Sequence, residues 1–275
     1  MTAPAPFRAR RRFGQNFLTD RGIIARIVEA LAPEVGDNLV EIGPGHAALT
    51  EPVLKKAGAL RAIELDRDLA ALLRSNPALQ GLTVVEDDAL KVDFSAFGSN
   101  LRVFGNLPYN ITSPLLFHLL PQRGIRDLHF MLQKEVVQRL CAAPGGGDYG
   151  RLTITVGFYA QATLLFEVPP ECFYPRPKVT SAVVRLVPRP LSEQERSCAT
   201  ELSDLTQAAF SARRKTLRNA LKAFFTPAQL ELSGVDPALR PEQLPPELYY
   251  HLAAVLKARR PGNITSASSQ EPNYA

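Results

Sequence analysis

A regular alternation of short β-branched runs and amphipathic stretches between residues 38 and 142 constrains the fold more than any other feature of this chain. Parallel strands cannot be joined by tight turns, so each pair needs a crossover segment, usually a helix packed on the sheet. The alternation therefore predicts an α/β fold with a mostly parallel, doubly wound sheet. The predicted strands cover residues 38–42, 60–65, 83–86, 101–105 and 127–132, and the predicted helices cover residues 47–56, 68–75, 113–120 and 134–142.

A further helix is predicted ahead of the first strand. Asp20 is a suitable N-cap, and the apolar residues that follow it recur at helical spacing until Pro33. Residues 152–161 fit both the helical and the strand period, and we favour helix there.

The region after the glycine-rich loop at residues 145–150 ends the sheet. Two short apolar runs, residues 164–168 and 181–187, flank a proline-rich stretch and predict an antiparallel hairpin that closes the sheet edge. From residue 192 onward the pattern is helical, which predicts a small all-α C-terminal domain. The predicted organisation is a basic arm at residues 1–19, an α/β domain at 20–189, a helical domain at 190–260 and a disordered tail at 261–275.

Composition excludes several classes of protein. Apolar residues make up 45% and charged residues 21% of the chain, and there is no run long enough to span a bilayer. The three cysteines and four histidines lack the spacing of a disulfide framework or a metal site, so no metal is predicted. The first residues are basic but lack an apolar stretch, which predicts no export and a cytoplasmic location. A net charge of +5 weakly favours a polyanionic partner.

The turn after the first parallel strand is rich in glycine. Gly43 and Gly45, followed by Ala48, satisfy a loose dinucleotide fingerprint, and Glu64 lies about 20 residues on, where an acid can bind ribose hydroxyls. This pattern fits NAD as well as S-adenosylmethionine. Glu41 directly before the glycines and the acidic pair ending at Asp88 favour S-adenosylmethionine, because a carboxylate at a strand end can accept a hydrogen bond from the adenine amine. A simple loop cap is the alternative role for that acidic pair.

The sharpest motif follows the fourth strand. The amine of adenine is a poor nucleophile, so an enzyme must hold it with hydrogen-bond acceptors and direct it at the methyl group. The side-chain oxygen of Asn106 and the carbonyl of Leu107, held by the fixed φ of Pro108, can be these acceptors. Tyr109 can stack on the base. A proline turn with a core tyrosine is the alternative for the motif in isolation.

Taken in order, seven motifs resemble those of the ribosomal RNA adenine dimethyltransferases, over nearly the whole chain. They lie at residues 12–18, 41–50, 64–66, 88–90, 106–109, 173–179 and 210–219. The resemblance implies a Rossmann-like class I methyltransferase domain and S-adenosyl-L-methionine as the cofactor. It also implies dimethylation of two adjacent adenosines near the 3′ end of small-subunit (16S) RNA, within an immature 30S-type particle. The implied donor site comprises Asn16, Leu18, Gly43, Glu64, Asp88 and Asn106, and the implied target-base site comprises residues 106–109 with Phe173.

The chain departs from the family pattern at Ala47, where the family usually has a third glycine. Alanine adds only a methyl group, so weaker or reshaped donor binding is the most we expect, unless this position requires a positive φ.

Basic residues around the implied pocket are candidates for RNA contacts. Arg214, Arg218 and Lys222 are predicted to share one face of a helix that carries leucines on the other. A solvated surface face is the alternative for such a charge run. The predicted RNA-binding residues are Arg8, Arg10, Arg11, Arg12, Lys178, Arg213, Arg214, Lys215, Arg218 and Lys222.

Two other functions stay open at this point. One is methylation of a single adenine in large-subunit RNA. The other is a non-catalytic role in ribosome assembly, and a catalytic enzyme can also act as an assembly checkpoint. We expect a monomer that does not bind membranes.

Overall fold

The computed structural model describes residues 16–211 and 214–259. They divide into two compact units. The first contains the described residues up to 142 together with Tyr159–Arg189, and the second contains Ala143–Phe158 together with the described residues from 190 onward. The arm residues Arg8, Arg10, Arg11 and Arg12, the cation Arg213 and the predicted tail at 261–275 lie outside the described residues.

The first unit is built on a seven-stranded sheet with the order β4-β3-β2-β5-β6-β9-β7. Its strands are β2 (Asn38–Ile42), β3 (Leu60–Glu64), β4 (Leu82–Glu86), β5 (Leu101–Asn106), β6 (Ile125–Gln133), β7 (Ala160–Val168) and β9 (Ser181–Pro188). Its helices are α1 (Arg21–Leu31), α2 (Thr50–Ala57), α3 (Arg67–Ser75), α4 (Thr112–Leu119) and α5 (Lys134–Leu140).

The pairing of the strands confirms the predicted α/β class. From β4 to β6 every pair of neighbours is parallel, as the strand–helix alternation requires. Strand β9 is antiparallel to both β6 and β7, so the antiparallel strand lies one place in from the edge and β7 is outermost. The strand order reverses between β2 and β5, which makes a crevice at their carboxyl ends, where ligands of open α/β sheets bind.

A two-stranded ribbon was not predicted from the sequence. Strand β1 (Phe17–Leu18) pairs antiparallel with β8 (Phe173–Tyr174), so two motifs distant in sequence become neighbours. Each strand has only two residues, too few for a period-2 pattern to be visible in the sequence. The ribbon fixes the start of the described chain beside the main sheet.

The leading helix α1 is confirmed. The Asp20 side chain accepts a hydrogen bond from Ile23 N at 2.8 Å, which satisfies a free N–H of the first turn. At the other end, the buried guanidinium of Arg102 donates to Leu31 O at 2.6 Å and forms ion pairs with Asp37 and Asp127. This network anchors the end of α1 on the sheet, at the opposite end of β5 from Asn106.

The second unit is helical. It contains α6 (Arg151–Tyr159, of which the last residue belongs to the first unit), α7 (Glu193–Ser197), α8 (Ala199–Phe210), α9 (Leu217–Ala220), α10 (Pro227–Leu232) and α11 (Pro246–Arg259). The sequence-based boundaries assign all of residues 20–189 to the α/β domain, and the grouping of Ala143–Phe158 with the C-terminal helices differs from them. Hydrogen bonds connect this segment to the C-terminal helices: Tyr149 Oη donates to Leu244 O at 2.8 Å and Tyr250 Oη to Ile154 O at 3.2 Å.

Within the described ranges, none of the helices is long and apolar enough to cross a membrane. The same residues contain no group of three or more histidine, cysteine or acidic side chains arranged to hold a metal ion.

Candidate active site

A cavity opens at the carboxyl edge of the sheet, where the strand order reverses. Its lining comes from the β1 segment, from the loops after β2, β3 and β4, and from residues 106–111 after β5. All of these residues belong to the first unit. Every residue of the predicted donor site and of the predicted catalytic motif lines this cavity: Asn16, Leu18, Gly43, Glu64, Asp88, Asn106, Leu107, Pro108 and Tyr109.

The turn after β2 depends on its glycines. Gly43 and Gly45 have φ values of +66° and +55°, a backbone region that favours glycine. A Cβ on Gly45 would lie 3.2 Å from the ring of Phe17, so the turn and β1 approach each other closely. Gly45 N donates to Glu64 Oε2 at 3.3 Å, which connects the turn to the end of β3.

Ala47 has a φ of +64°, so the third position of the turn does require the conformation that glycine adopts without strain. This explains why α2 begins at Thr50 and not at residue 47 as predicted, because a residue with positive φ cannot be part of a right-handed helix.

Replacement of Ala47 by glycine is expected to raise the free energy of unfolding by about 0.5–1 kcal/mol, because relief of left-handed strain exceeds the added entropy of the unfolded chain. Urea denaturation measures this change. The control is Ala48→Gly, at the next position, which does not have a positive φ and should lose about 0.5–1 kcal/mol. Equal effects of the two substitutions would refute the assignment of strain to Ala47.

Two carboxylates lie behind the turn. Burial raises the pKa of Glu41 to about 8, with a further contribution from the charge of Glu64, and burial also raises the pKa of Glu64 above its ordinary value. Glu41 is 2% exposed, and among the described residues its Oε2 has no hydrogen-bond partner. Glu64 and Asp88 also line the cavity, so acceptor oxygens are available there for the ribose hydroxyls and the adenine amine of S-adenosylmethionine.

Glu41 makes stability depend on pH. Its folded-state pKa of about 8 lies above the ordinary 4.5, so between these values the unfolded chain releases a proton that the folded chain retains. The free energy of unfolding should therefore fall as pH rises through this window, by at most about 1.4 kcal/mol per pH unit. In urea denaturation across this window, Glu41→Gln is expected to flatten the decline and Glu51→Gln, at an exposed position, to leave it unchanged. The same slope in the wild type and in Glu41→Gln would contradict this origin.

The acidic pair after β4 caps a turn and also lines the cavity. Asp88 Oδ1 accepts from Leu90 N at 3.0 Å, and Asp87 Oδ1 accepts from Asp88 N at 2.7 Å, so each side chain caps the turn. Both residues also line the cavity. The cap fixes the direction of the Asp88 carboxylate without occupying both of its oxygens.

Asn106 ends β5 and is oriented by the β1 segment. Its Nδ2 donates to Asn16 O at 2.9 Å. Since a carbonyl oxygen can only accept, this bond assigns the amide orientation and leaves Oδ1 as the acceptor end. Leu107 N donates to Met131 O at 3.2 Å, which holds the next residue on β6. The start of the motif is therefore fixed from two sides.

Phe173 is not part of the cavity lining. It is 5% exposed and packs in the main hydrophobic core, opposite Leu18 in the ribbon. The neighbouring aromatic, Tyr174, is 74% exposed. Consecutive residues of a strand point to opposite faces, so only one of the two aromatics can face the core.

The predicted RNA-binding cations that are described are exposed, but they do not form a helical stripe. Helix α9 covers only Leu217–Ala220, so the prediction that Arg214, Arg218 and Lys222 share one helix face is wrong. Leu217 and Leu221 are fully buried, which supports the apolar part of the pattern. A four-residue helix ends too early to bring positions eight apart onto one face. The exposed cations are Lys178, Arg214, Lys215, Arg218 and Lys222.

Sequence reasoning missed part of the lining. Phe17, Leu65 and Asp66 all line the cavity, and the ring of Phe17 contacts the His46 ring with centroids 4.3 Å apart. Phe17 and Leu65 lie directly beside a predicted site residue and Asp66 lies two positions after Glu64, so closeness in sequence was the available signal.

The mostly parallel sheet with the cavity at its reversal point, the acid-backed glycine turn and the Asn-Leu-Pro-Tyr motif define a Rossmann-like S-adenosylmethionine-dependent methyltransferase. A family model described as "Ribosomal RNA adenine dimethylase" matches residues 6–258. The chain belongs to this family.

Several relatives are similar to the chain over most of its length. It is 49% identical over 249 residues to a "Ribosomal RNA small subunit methyltransferase A" of Dechloromonas aromatica, covering 90% of this chain and 98% of the relative. A protein of the same name from Serratia proteamaculans is 51% identical, covering 91% of this chain and 94% of the relative.

Two solved structures share the fold. A dimethyladenosine transferase from Plasmodium falciparum has a TM-score of 0.70 at 27% identity, covering 86% of this chain and 95% of its own. The 23S rRNA methyltransferase ErmE has a TM-score of 0.68 at 26% identity. The match covers 88% of this chain and 100% of the ErmE chain.

Proposed function

We propose that this protein transfers methyl groups from S-adenosyl-L-methionine to the exocyclic amines of two adjacent adenosines near the 3′ end of small-subunit ribosomal RNA, giving dimethyladenosine. One observation carries the proposal. The glycine turn after β2, with the acids Glu41 and Glu64 beside it, and the 106–109 motif line the same cavity. The names of the relatives at 49–51% identity support the small subunit as the substrate.

The donor site is formed by residues that come from separate loops. Glu64 is the acceptor for ribose hydroxyls, and the half-buried Asp88 is the acceptor for the adenine amine of the donor. Gly43 lets the backbone approach the ligand, and a Cβ there would meet no atom within 4 Å, so the space beside it is open. Asn16, Leu18 and Asn106 complete the site.

When bound, S-adenosylmethionine supplies an electrophilic methyl group at this edge of the sheet. Asn106 Oδ1 and Leu107 O accept hydrogen bonds from the amine of the target adenine and direct its nitrogen toward the cavity. Tyr109 stacks on the base. A dedicated general base is not required, since the proton can leave after a cationic product forms.

The fold alone does not separate small-subunit from large-subunit specificity. ErmE, a 23S rRNA methyltransferase, matches this chain almost as well in structure as the Plasmodium enzyme. The higher sequence identity to the small-subunit relatives favours the small subunit.

The exposed cations Arg214 and Arg218 are proposed to contact RNA phosphates. Alanine at either position should weaken binding to small subunits and reduce the slope of log affinity against log salt by about 1. Filter binding over a salt series measures both effects. Arg74→Ala is the control, because that guanidinium is paired with Glu86 at 2.9 Å. An unchanged slope in both variants would remove these residues from the RNA interface.

We further propose that the enzyme acts as a cytoplasmic monomer on an immature 30S-type particle and contributes an assembly checkpoint there. A methyltransferase that remains bound to an unfinished particle delays its progress until transfer is complete.

Incubation of the purified protein with radiolabelled S-adenosylmethionine and unmethylated small or large subunits tests the function, followed by nucleoside analysis of the RNA. Dimethyladenosine only with small subunits is the expected result. Label only with large subunits would support the alternative specificity. Tight binding to small subunits without label would support a non-catalytic assembly factor.

A further inference from the structure

Ser181 contacts the catalytic motif from outside the cavity. Its Oγ lies 3.0 Å from the hydroxyl of Tyr109, within hydrogen-bond distance, and its side chain is buried at 1% exposure. Tyr109 lines the cavity, whereas Ser181 does not. Ser181 therefore contacts Tyr109 at the hydroxyl end of the ring without being part of the cavity lining.

The sheet fixes the position of the Ser181 hydroxyl. Ser181 is the first residue of β9 and pairs with Gln133 of β6 on one side and Val168 of β7 on the other. The residue before it, Thr180, accepts a backbone hydrogen bond from Lys134 N at 2.9 Å. A side chain on a strand held from both sides moves less than one on a loop.

Tyr109, in contrast, lies in a turn between β5 and α4. A half-exposed ring on a turn has rotamer freedom that must be lost before its face can stack on a base. A hydrogen bond from the far end of the ring to a fixed hydroxyl removes part of that freedom in advance.

We propose that Ser181 is a positioning residue for Tyr109, and that their hydrogen bond holds the tyrosine ring in the orientation in which it receives the target adenine. This inference rests on the proposed role of Tyr109 in base stacking. The bond involves no proton transfer. Either hydroxyl can be its donor, and the ring of Tyr109 is held in the same way in both cases.

Four variants of the full chain test the inference: Ser181→Ala, Ser181→Thr, Tyr109→Phe and the double variant Ser181→Ala/Tyr109→Phe. The readouts are single-turnover methyl transfer to unmethylated small subunits, the dissociation constant for S-adenosylmethionine and the thermal midpoint. Ser181→Ala and Tyr109→Phe should each slow transfer about 5- to 10-fold, the factor expected for one ordinary hydrogen bond.

The double variant should be no slower than either single variant, because both changes remove the same bond. Ser181→Thr, which keeps the hydroxyl, should restore most of the rate, and donor affinity and thermal midpoint should stay close to wild type. Multiplicative losses in the double variant, or full transfer by Ser181→Ala, would overturn the inference.

Failure of the inference can be separated from failure of the proposed function. If the wild type makes dimethyladenosine and Ser181→Ala matches it, only the positioning role is refuted. If the wild type makes none on small subunits, the proposed function is refuted and the inference with it.

Discussion

Asn106→Ala is expected to reduce methyl transfer by a factor of about 10³ or more while RNA affinity stays nearly unchanged. Loss of one positioned hydrogen-bonding group in an active site typically costs about 10²–10³ in rate. This substitution removes the Oδ1 acceptor for the target amine and also the Nδ2 donor that bonds Asn16 O at 2.9 Å. Single-turnover transfer measures the rate, and filter binding measures the RNA affinity.

Asn106→Asp serves as the matched variant. It keeps an oxygen where the amine is held but replaces the donor with a second oxygen that faces Asn16 O, so the β1 segment loses its bond to the motif. We expect transfer to be impaired and donor affinity to fall as well, since Asn16 lines the same cavity. Equal losses of transfer and RNA affinity in Asn106→Ala would show that Asn106 binds RNA in general and does not direct the amine.

Gly105→Ala adds one methyl group, and we expect it to destabilise the fold more than any other glycine-to-alanine substitution near the site. A Cβ at Gly105 would lie 2.3 Å from Ile42 O, in the backbone of the adjacent strand β2. Neither strand can move away without breaking the pairing that places the glycine turn beside Asn106. We expect a loss of about 3 kcal/mol or more in the free energy of unfolding, at the upper end for overpacking.

Thermal and urea denaturation measure this loss. The control is Gly147→Ala, because a Cβ there would meet no atom within 4 Å and its φ is not positive. That variant should unfold within about 0.5 kcal/mol of the wild type. A Gly105→Ala protein of wild-type stability would mean that β2 and β5 separate more easily than their close approach implies.

Much of the first unit could be predicted from the sequence. The strand–helix alternation is a local signal, and the rule that parallel strands need crossovers converts it into a sheet with a known ligand-binding edge. The same logic predicted Gly43, Glu64 and Asp88 as donor residues, because each lies at or just after the carboxyl end of a strand, and all three line the cavity. The family model, the similar relatives and the similar solved structures confirm the fold class, the cofactor and the family.

Other features depend on contacts between residues far apart in sequence. The segment Ala143–Phe158 groups with the C-terminal helices, and the tyrosine hydroxyl bonds between them span about 95 residues, so no periodicity within the segment signals them. The short length of α9 could not be predicted either. The helical spacing of Arg214, Arg218 and Lys222 is also compatible with a turn.

Local spacing in the sequence was enough to predict most strands of the main sheet, and it singled out the glycine turn and the 106–109 motif that line the cavity. The contacts that hold the motif appear only in the folded chain: Asn16 bonds Asn106 from 90 residues away, and Ser181 bonds Tyr109 from 72 residues away. The tertiary structure also showed that Phe173 faces the core and that Ala47 has a positive φ. The physical reason is that strand pairing, side-chain facing and backbone strain are set by partners that meet only in the folded chain.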